Sequence, residues 1–187
     1  MSERRALGLP LRLLLTVTPN LALILAACYL PADGISRGPA LFSIIGNFHI
    51  IALHLPVALL IIIPLFEFLD WSQQAQTGTR RLSMIAAIST WAAAFLGIIY
   101  AHFNGFDGDD VQLHLWTGIA ASCLASASWL LIHQSRNTRL TLQFLSIFAM
   151  FYAAHIGGEM VHGEGFPLKP NKVSADGQPK AGYAAKK

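Results

Sequence analysis

Histidine is the side chain best suited to hold a redox metal inside a protein. Its neutral imidazole offers one nitrogen as a ligand while the other fixes the ring by a hydrogen bond. Seven histidines occur in the 187 residues of this chain. Two of them, His49 and His54, sit in the apolar stretch FHIIALHLP, and two more, His155 and His162, close the last hydrophobic run in HIGGEMVHGEG. An imidazole in a hydrocarbon setting is costly and by default marks a pathway or a cofactor.

The setting is hydrocarbon because 54% of the residues are hydrophobic and only 12% are charged, about half the charged share of a soluble domain. Apolar runs near 11–30, 44–69, 82–102, 113–133 and 139–160 each approach the roughly 20 residues that a bilayer span needs. The expected fold is therefore all-α: an integral membrane helix bundle with a four-helix core and an additional N-terminal transmembrane helix. Residues 1–40 would form that anchor helix and an outer loop, 41–166 the core, and 167–187 a disordered basic tail, rich in Pro, Gly, Lys and Ala. No internal repeat stands out. Pro56 and Pro64 are expected to kink the second span.

Arginines set the expected orientation. Arg4, Arg5 and Arg12, then Arg80 and Arg81, then Arg136 and Arg139 fall in segments that alternation places on one side. The loop with Asp107, Asp109 and Asp110 carries no Lys or Arg. The positive-inside rule puts the N-terminus in the cytoplasm and the C-terminus on the periplasmic side of a bacterial inner membrane. Five tail lysines run against this, but alternation outweighs them. The net charge of +3 reads as topology, and without a basic face interleaved with aromatics no nucleic-acid partner is expected. Leu25-Ala26-Ala27-Cys28 has the form of a lipoprotein cleavage box, against which a retained first helix is preferred. Cys28 and Cys123 form no C-x-x-C pair, so a zinc ribbon, a thioredoxin-like motif and covalent haem are excluded.

Counting about 1.5 Å per helical residue, His54 and His155 lie some 22–24 Å above the cytoplasmic ends of their helices. His49, His102, His114 and His162 lie near the outer boundary, and His133 alone at the cytoplasmic end. Six imidazoles from four helices thus gather in one leaflet. His49 and His54, about 140° apart around a helix axis, cannot chelate one ion from a single face. The expected arrangement has a deeper level from His54 and His155 and an outer level drawn from His49, His102, His114 and His162. Histidine pairs on facing helices are how b-type haem is held, and one or two haems are expected. Small residues in the third and fourth runs (Ala92, Ala93, Ala94, Gly97; Gly118, Ala120, Ala121, Ser122, Ala125, Ser126) are expected first of all to let helices pack closely, and alternatively to leave room for a porphyrin, whose edge could approach the backbone at Gly157-Gly158. Copper is the alternative, with His49, His54, His114 and His155 as ligands and Met160 as a soft donor. A third possibility is a cofactor-free anchor subunit of a redox complex. No H-E-x-x-H occurs, and Glu159 and Glu164 are not spaced like that motif, so zinc hydrolysis ranks below copper. FDGDD is expected to be a solvated turn, Glu67 and Asp70 interfacial charges, and Trp71, Tyr100 and Trp116 belt aromatics. Glu159 and Glu164 beside the terminal histidines are candidate proton acceptors for a quinol.

The H-x-x-x-x-H-[FL]-P motif, His49 to Pro56, with H-x-G-G-x-x-x-H-G, His155 to Gly163, resembles a bacterial membrane-protein family of unknown function. That family has a four-helix core, is associated with c-type cytochromes and is cytochrome b-like. The resemblance covers about residues 44 to 166. Ile50 stands where family members often carry proline. The resemblance implies a haem-binding redox subunit whose partner is a c-type cytochrome or a periplasmic oxidoreductase subunit. The expected activity is electron relay from quinol or a periplasmic dehydrogenase within a respiratory complex, as an electron-transfer subunit of an oxidoreductase complex in preference to an enzyme alone.

Overall fold

Each of the five apolar runs folds as helix. The computed structural model describes residues 8–69, 73–163 and 165–168, with only the backbone of 73–76 included. The expectations for Asp70, Trp71, Glu164 and the tail beyond 168 lie outside the described residues. The elements are α1 (Leu9–Tyr29), α2 (Ala40–Asn47), α3 (His49–Ala52), α4 (His54–Leu69), α5 (Gln73–Asn104), α6 (Asp109–Leu130) and α7 (Arg136–His162), with no strand among the described residues. Four stretches, Leu9–Tyr29, Ala40–Leu69, Thr77–Asn104 and Arg136–His162, are long and apolar enough to cross a membrane.

The polar segment between the apolar runs at 44–69 and 82–102 is helical from Gln73 onward. It contains no proline and is built from Gln, Ala, Thr and Arg around a single glycine, so nothing stops the helix once it leaves the apolar run. Helix α6 starts at Asp109 and ends at Leu130, with Asp109 and Asp110 in the first turn, where the helix dipole favours carboxylates. Its polarity has a structural reason. Helices α1, α5 and α7 all pack on α6, and its Ser122, Ser126 and Ser128 are buried against them. Its buried serines face those neighbours, while Leu113 and Trp116 lie on its exposed side.

The core is a ring of four. Helix α4 packs on α5, α5 on α6, α6 on α7, and α7 back on α4, so α4 and α6 occupy opposite corners. Leu59, Leu60, Ile63, Ala86, Ala121, Ala125 and Met150 form its centre. Small residues bring the backbones together, which is how helices associate where lipid offers no hydrophobic contrast. Ser146 is fully buried and its hydroxyl donates to the carbonyl of Ala121 across the α6–α7 contact. Helix α1 docks outside the ring on α5 and α6. Its Asn20 accepts from Trp91 Nε1 at 2.9 Å and donates to Ser126 Oγ at 2.8 Å.

Glu67, expected as an interfacial charge, is buried instead. Helix α7 starts at the level where α4 ends, so Arg139 Nε reaches Glu67 Oε1 at 3.2 Å, Gln143 Nε2 donates to the same oxygen at 3.3 Å, and Arg136 donates to the Glu67 carbonyl at 3.1 Å. Glu67→Ala leaves the Arg139 charge without its carboxylate and should cost about 3–5 kcal/mol. The double variant with Arg139→Met should recover much of that loss. Denaturant unfolding of the purified protein in detergent measures both.

Candidate cofactor site

The second span is broken twice, once before each histidine. Pro56 has no N–H and its ring crowds the carbonyl of Ala52, which is where α3 ends. Upstream, α2 is pressed against α5 at Gly46, where a Cβ would lie 2.7 Å from Tyr100 Cα. The chain tightens there, with Phe48 N bonding Ile45 O at 3.1 Å. The result sets His49 at the start of a new helical turn, facing α5.

His49 Nδ1 lies 2.8 Å from the carbonyl oxygen of Ala93 on α5. On the opposite side of the ring, His114 of α6 places Nδ1 2.8 Å from the carbonyl oxygen of Ala153 on α7. A carbonyl only accepts, so in both imidazoles Nδ1 carries the proton and Nε2 presents its lone pair. Neither Nε2 has a hydrogen-bond partner among the described residues.

Glycine explains why those two carbonyls are reachable. A helical side chain leans over the turn before it, so a residue four positions on normally shields a carbonyl. Gly97 stands four residues after Ala93, and Gly157 four after Ala153. A Cβ at Gly97 would sit 3.0 Å from His49 Cε1, and one at Gly157 would sit 2.9 Å from His114 Cε1. The two seats read Ala93-Ala94-Phe95-Leu96-Gly97 and Ala153-Ala154-His155-Ile156-Gly157. The histidine precedes its carbonyl by 44 residues in one hairpin and 39 in the other. This is an internal repeat of A-A-x-x-G and an upstream histidine, too sparse to stand out in the sequence. It became visible only with the hydrogen bonds.

The two rings meet with centroids 6.3 Å apart and planes at 87°. A metal–imidazole bond is about 2 Å. With a little over about 1 Å from nitrogen to ring centre, two imidazoles on opposite sides of one metal atom have centres roughly 6 to 6.5 Å apart. Gly118, one turn from His114 on the same face of α6, has open space where a Cβ would be. No group of three or more His, Cys, Asp or Glu side chains is placed to hold an ion among the described residues. The donor set is a pair of imidazoles, which suits a group that brings its own equatorial ligands.

The other expected ligands are not brought to this pair. His54 is exposed and turns to the carbonyl of Ile50 on its own stretch of chain, at 2.7 Å. His155, also exposed, faces Glu159 at 3.7 Å, and no ring contact among the described residues joins it to His54. His102 is buried beneath the α1–α2 connection, with Nδ1 2.8 Å from Pro31 O. His162 stacks on Phe166 at 4.4 Å. Met160 packs with Ala32, Ala101 and Val111. Gly157 and Gly158, expected to admit a porphyrin edge, are filled instead by the rings of His114 and Phe166. The backbone carbonyls of Ala93 and Ala153 are the site members that side-chain patterns did not reveal.

No family model, no curated protein and no solved structure matches this chain.

Ring ¹⁵N NMR on the metal-free protein should find His49 and His114 as the Nδ1–H tautomer. A bare Nδ1 in either would contradict the geometry. At the other end of the bundle, beyond α6, burial and then the charges of Arg12, Arg80 and Arg139 hold the His133 pKa below its usual 6.5. The depressed folded value means that protonating His133 opposes folding, so its effect on stability is absent above pH 6.5 and grows as pH falls through the folded pKa. An NMR titration should place its midpoint below 6.5, and Arg80→Gln or added salt should move it upward.

Proposed function

We propose that His49 and His114 are the axial ligands of one b-type haem, and that the protein is a membrane electron-relay subunit. The observation that carries this reading is the His49–His114 pair itself, with 6.3 Å between ring centres and each Nδ1 tied to a backbone carbonyl. A hydrogen bond from the far ring nitrogen to a carbonyl fixes the tautomer and the ring direction of a metal-binding histidine. The motif resemblance to the cytochrome b-like family points the same way.

A haem held by the His49 and His114 imidazoles would supply one-electron chemistry. The chain's own residues do the rest. Ala93 and Ala153 hold the ring protons on Nδ1. Gly97 and Gly157 let the imidazoles lie close to the helices. Apolar helix faces keep water away. On the positive-inside rule the arginine end, with Arg12, Arg80, Arg136 and Arg139, faces the cytoplasm of a bacterium. The histidine end then faces outward, toward a c-type cytochrome or a periplasmic oxidoreductase subunit. Electrons would come from quinol or from that dehydrogenase, with His155 and Glu159 available at the same end as proton acceptors.

The same two nitrogens would also suit a two-coordinate copper(I) ion, and a cofactor-free anchor would have neither. A reduced-minus-oxidised visible spectrum separates the three. Haem gives a sharp b-type α band, copper gives metal content without that band, and an anchor gives a colourless protein. With haem, His49→Ala and His114→Ala should each abolish the six-coordinate spectrum. His54→Ala, His102→Ala and His162→Ala should retain it. Gly97→Leu and Gly157→Leu, which displace the rings, should weaken haem retention by about 10- to 100-fold, the range for lost outer-shell support. Because rings at 87° leave two iron d orbitals nearly equal in energy, the oxidised protein should show one dominant low-field electron paramagnetic resonance feature. A well-separated three-line rhombic signal would show that the ring planes are parallel.

A further inference from the structure

Three buried polar atoms lack a hydrogen-bond partner and belong to residues lining one small cavity at the arginine end of the core. Ser83 of α5, Ser128 of α6 and Gln143 of α7 are 3%, 2% and 2% exposed. Ser83 Oγ, Ser128 Oγ and Gln143 Oε1 each have no partner among the described residues. The three residues border a cavity of about 10 Å³, closed by Leu60 and Ile63 of α4 with Ala86 and Ala125. The Gln143 amide is oriented by its neighbour. Its Nε2 must donate to the Glu67 carboxylate, so Oε1 is the atom left over.

We infer that this cavity is a binding site for a single water molecule, which joins Ser83, Ser128 and Gln143. Leaving one such group unsatisfied costs about 1–3 kcal/mol, and three in one place have a common remedy. A water needs about 10–15 Å³ and two to four polar partners; the cavity offers about 10 Å³, and three of the residues that border it each carry an unpartnered oxygen. It donates to Gln143 Oε1 and to one serine oxygen, and accepts from the other serine hydroxyl. A sodium ion does not suit the site. The unpartnered oxygens are three and neutral, and the nearby Glu67 charge is already matched by Arg139, so a cation would be buried without compensation.

The water completes a chain from Arg139 through Glu67 and Gln143 to Ser83 and Ser128. That chain ties α4, α5, α6 and α7 together at the end remote from His49 and His114. The arginine half of the bundle is thereby held by polar ties that need no cofactor.

Alanine-methyl-labelled protein in detergent micelles tests this by NMR. The methyls of Ala86 and Ala125, 0% and 3% exposed, should show cross-peaks at the water frequency. The methyl of Ala87, equally buried but not lining the cavity, should show none. Ser128→Val fills the space and should remove both cross-peaks. Ser83→Val, which fills it from α5, is the second arm should the first variant fold poorly. Absence of cross-peaks in a well-dispersed wild-type spectrum would overturn the inference, as would their persistence in a folded filled variant. Cross-peaks that appear only with added sodium would assign the site to the cation instead. None of these readings depends on whether haem is present.

Discussion

Inside hydrocarbon a polar group has no water to fall back on, and that constraint organises this bundle from end to end. A backbone carbonyl already bonded within its helix keeps one lone pair to spare, and an imidazole can spend its Nδ1 proton there. His49 does so on Ala93 and His114 on Ala153. The serines follow the same rule, with Ser122 donating to the carbonyl of Thr90 and Ser146 to that of Ala121. Only after each polar group has found a partner is there something left over. At the histidine end what is left over includes the Nε2 lone pairs of His49 and His114, and at the arginine end the oxygens of Ser83, Ser128 and Gln143 around a cavity.

The site is built by all four core helices in two equivalent halves. One diagonal of the ring supplies the imidazoles, from α3 at the head of α4 and from α6. The other diagonal, α5 and α7, supplies the carbonyl and the glycine four residues later. Each hairpin thus carries one histidine with the carbonyl and glycine that seat it. Breaks in the second span serve this arrangement, since Gly46 lets α2 approach Tyr100 and Pro56 ends α3. Together they determine where His49 stands relative to α5.

The opposite end solves a different problem with the same chemistry. Glu67 and Arg139 would each be expensive alone in the interior, and Gln143 extends their pair toward the cavity. These contacts and the docking of α1 through Asn20 are independent of the histidine pair. The arginine end is therefore held by polar ties and small-residue packing.

Much of this was legible in the residues. Apolar runs of spanning length determined an all-helical membrane protein, because only a helix satisfies its own backbone in lipid. Clustering of six imidazoles toward one end followed from counting along antiparallel helices. Which two imidazoles would meet did not follow. His54 and His155 have the right depth, but depth ignores rotation about the helix axis, and both side chains point outward. Gln73–Arg81 reads as a loop by polarity, yet polarity does not end a helix that lacks proline. Glu67 reads as an interfacial charge because its partners lie about 70 positions away. The sequence by itself determined the elements, their order and the end at which the chemistry gathers, since these depend on local composition and length. The tertiary structure alone decided the pairing of His49 with His114 and of Glu67 with Arg139. Contacts of that kind depend on the azimuth of each helix and on which backbones come close enough to touch.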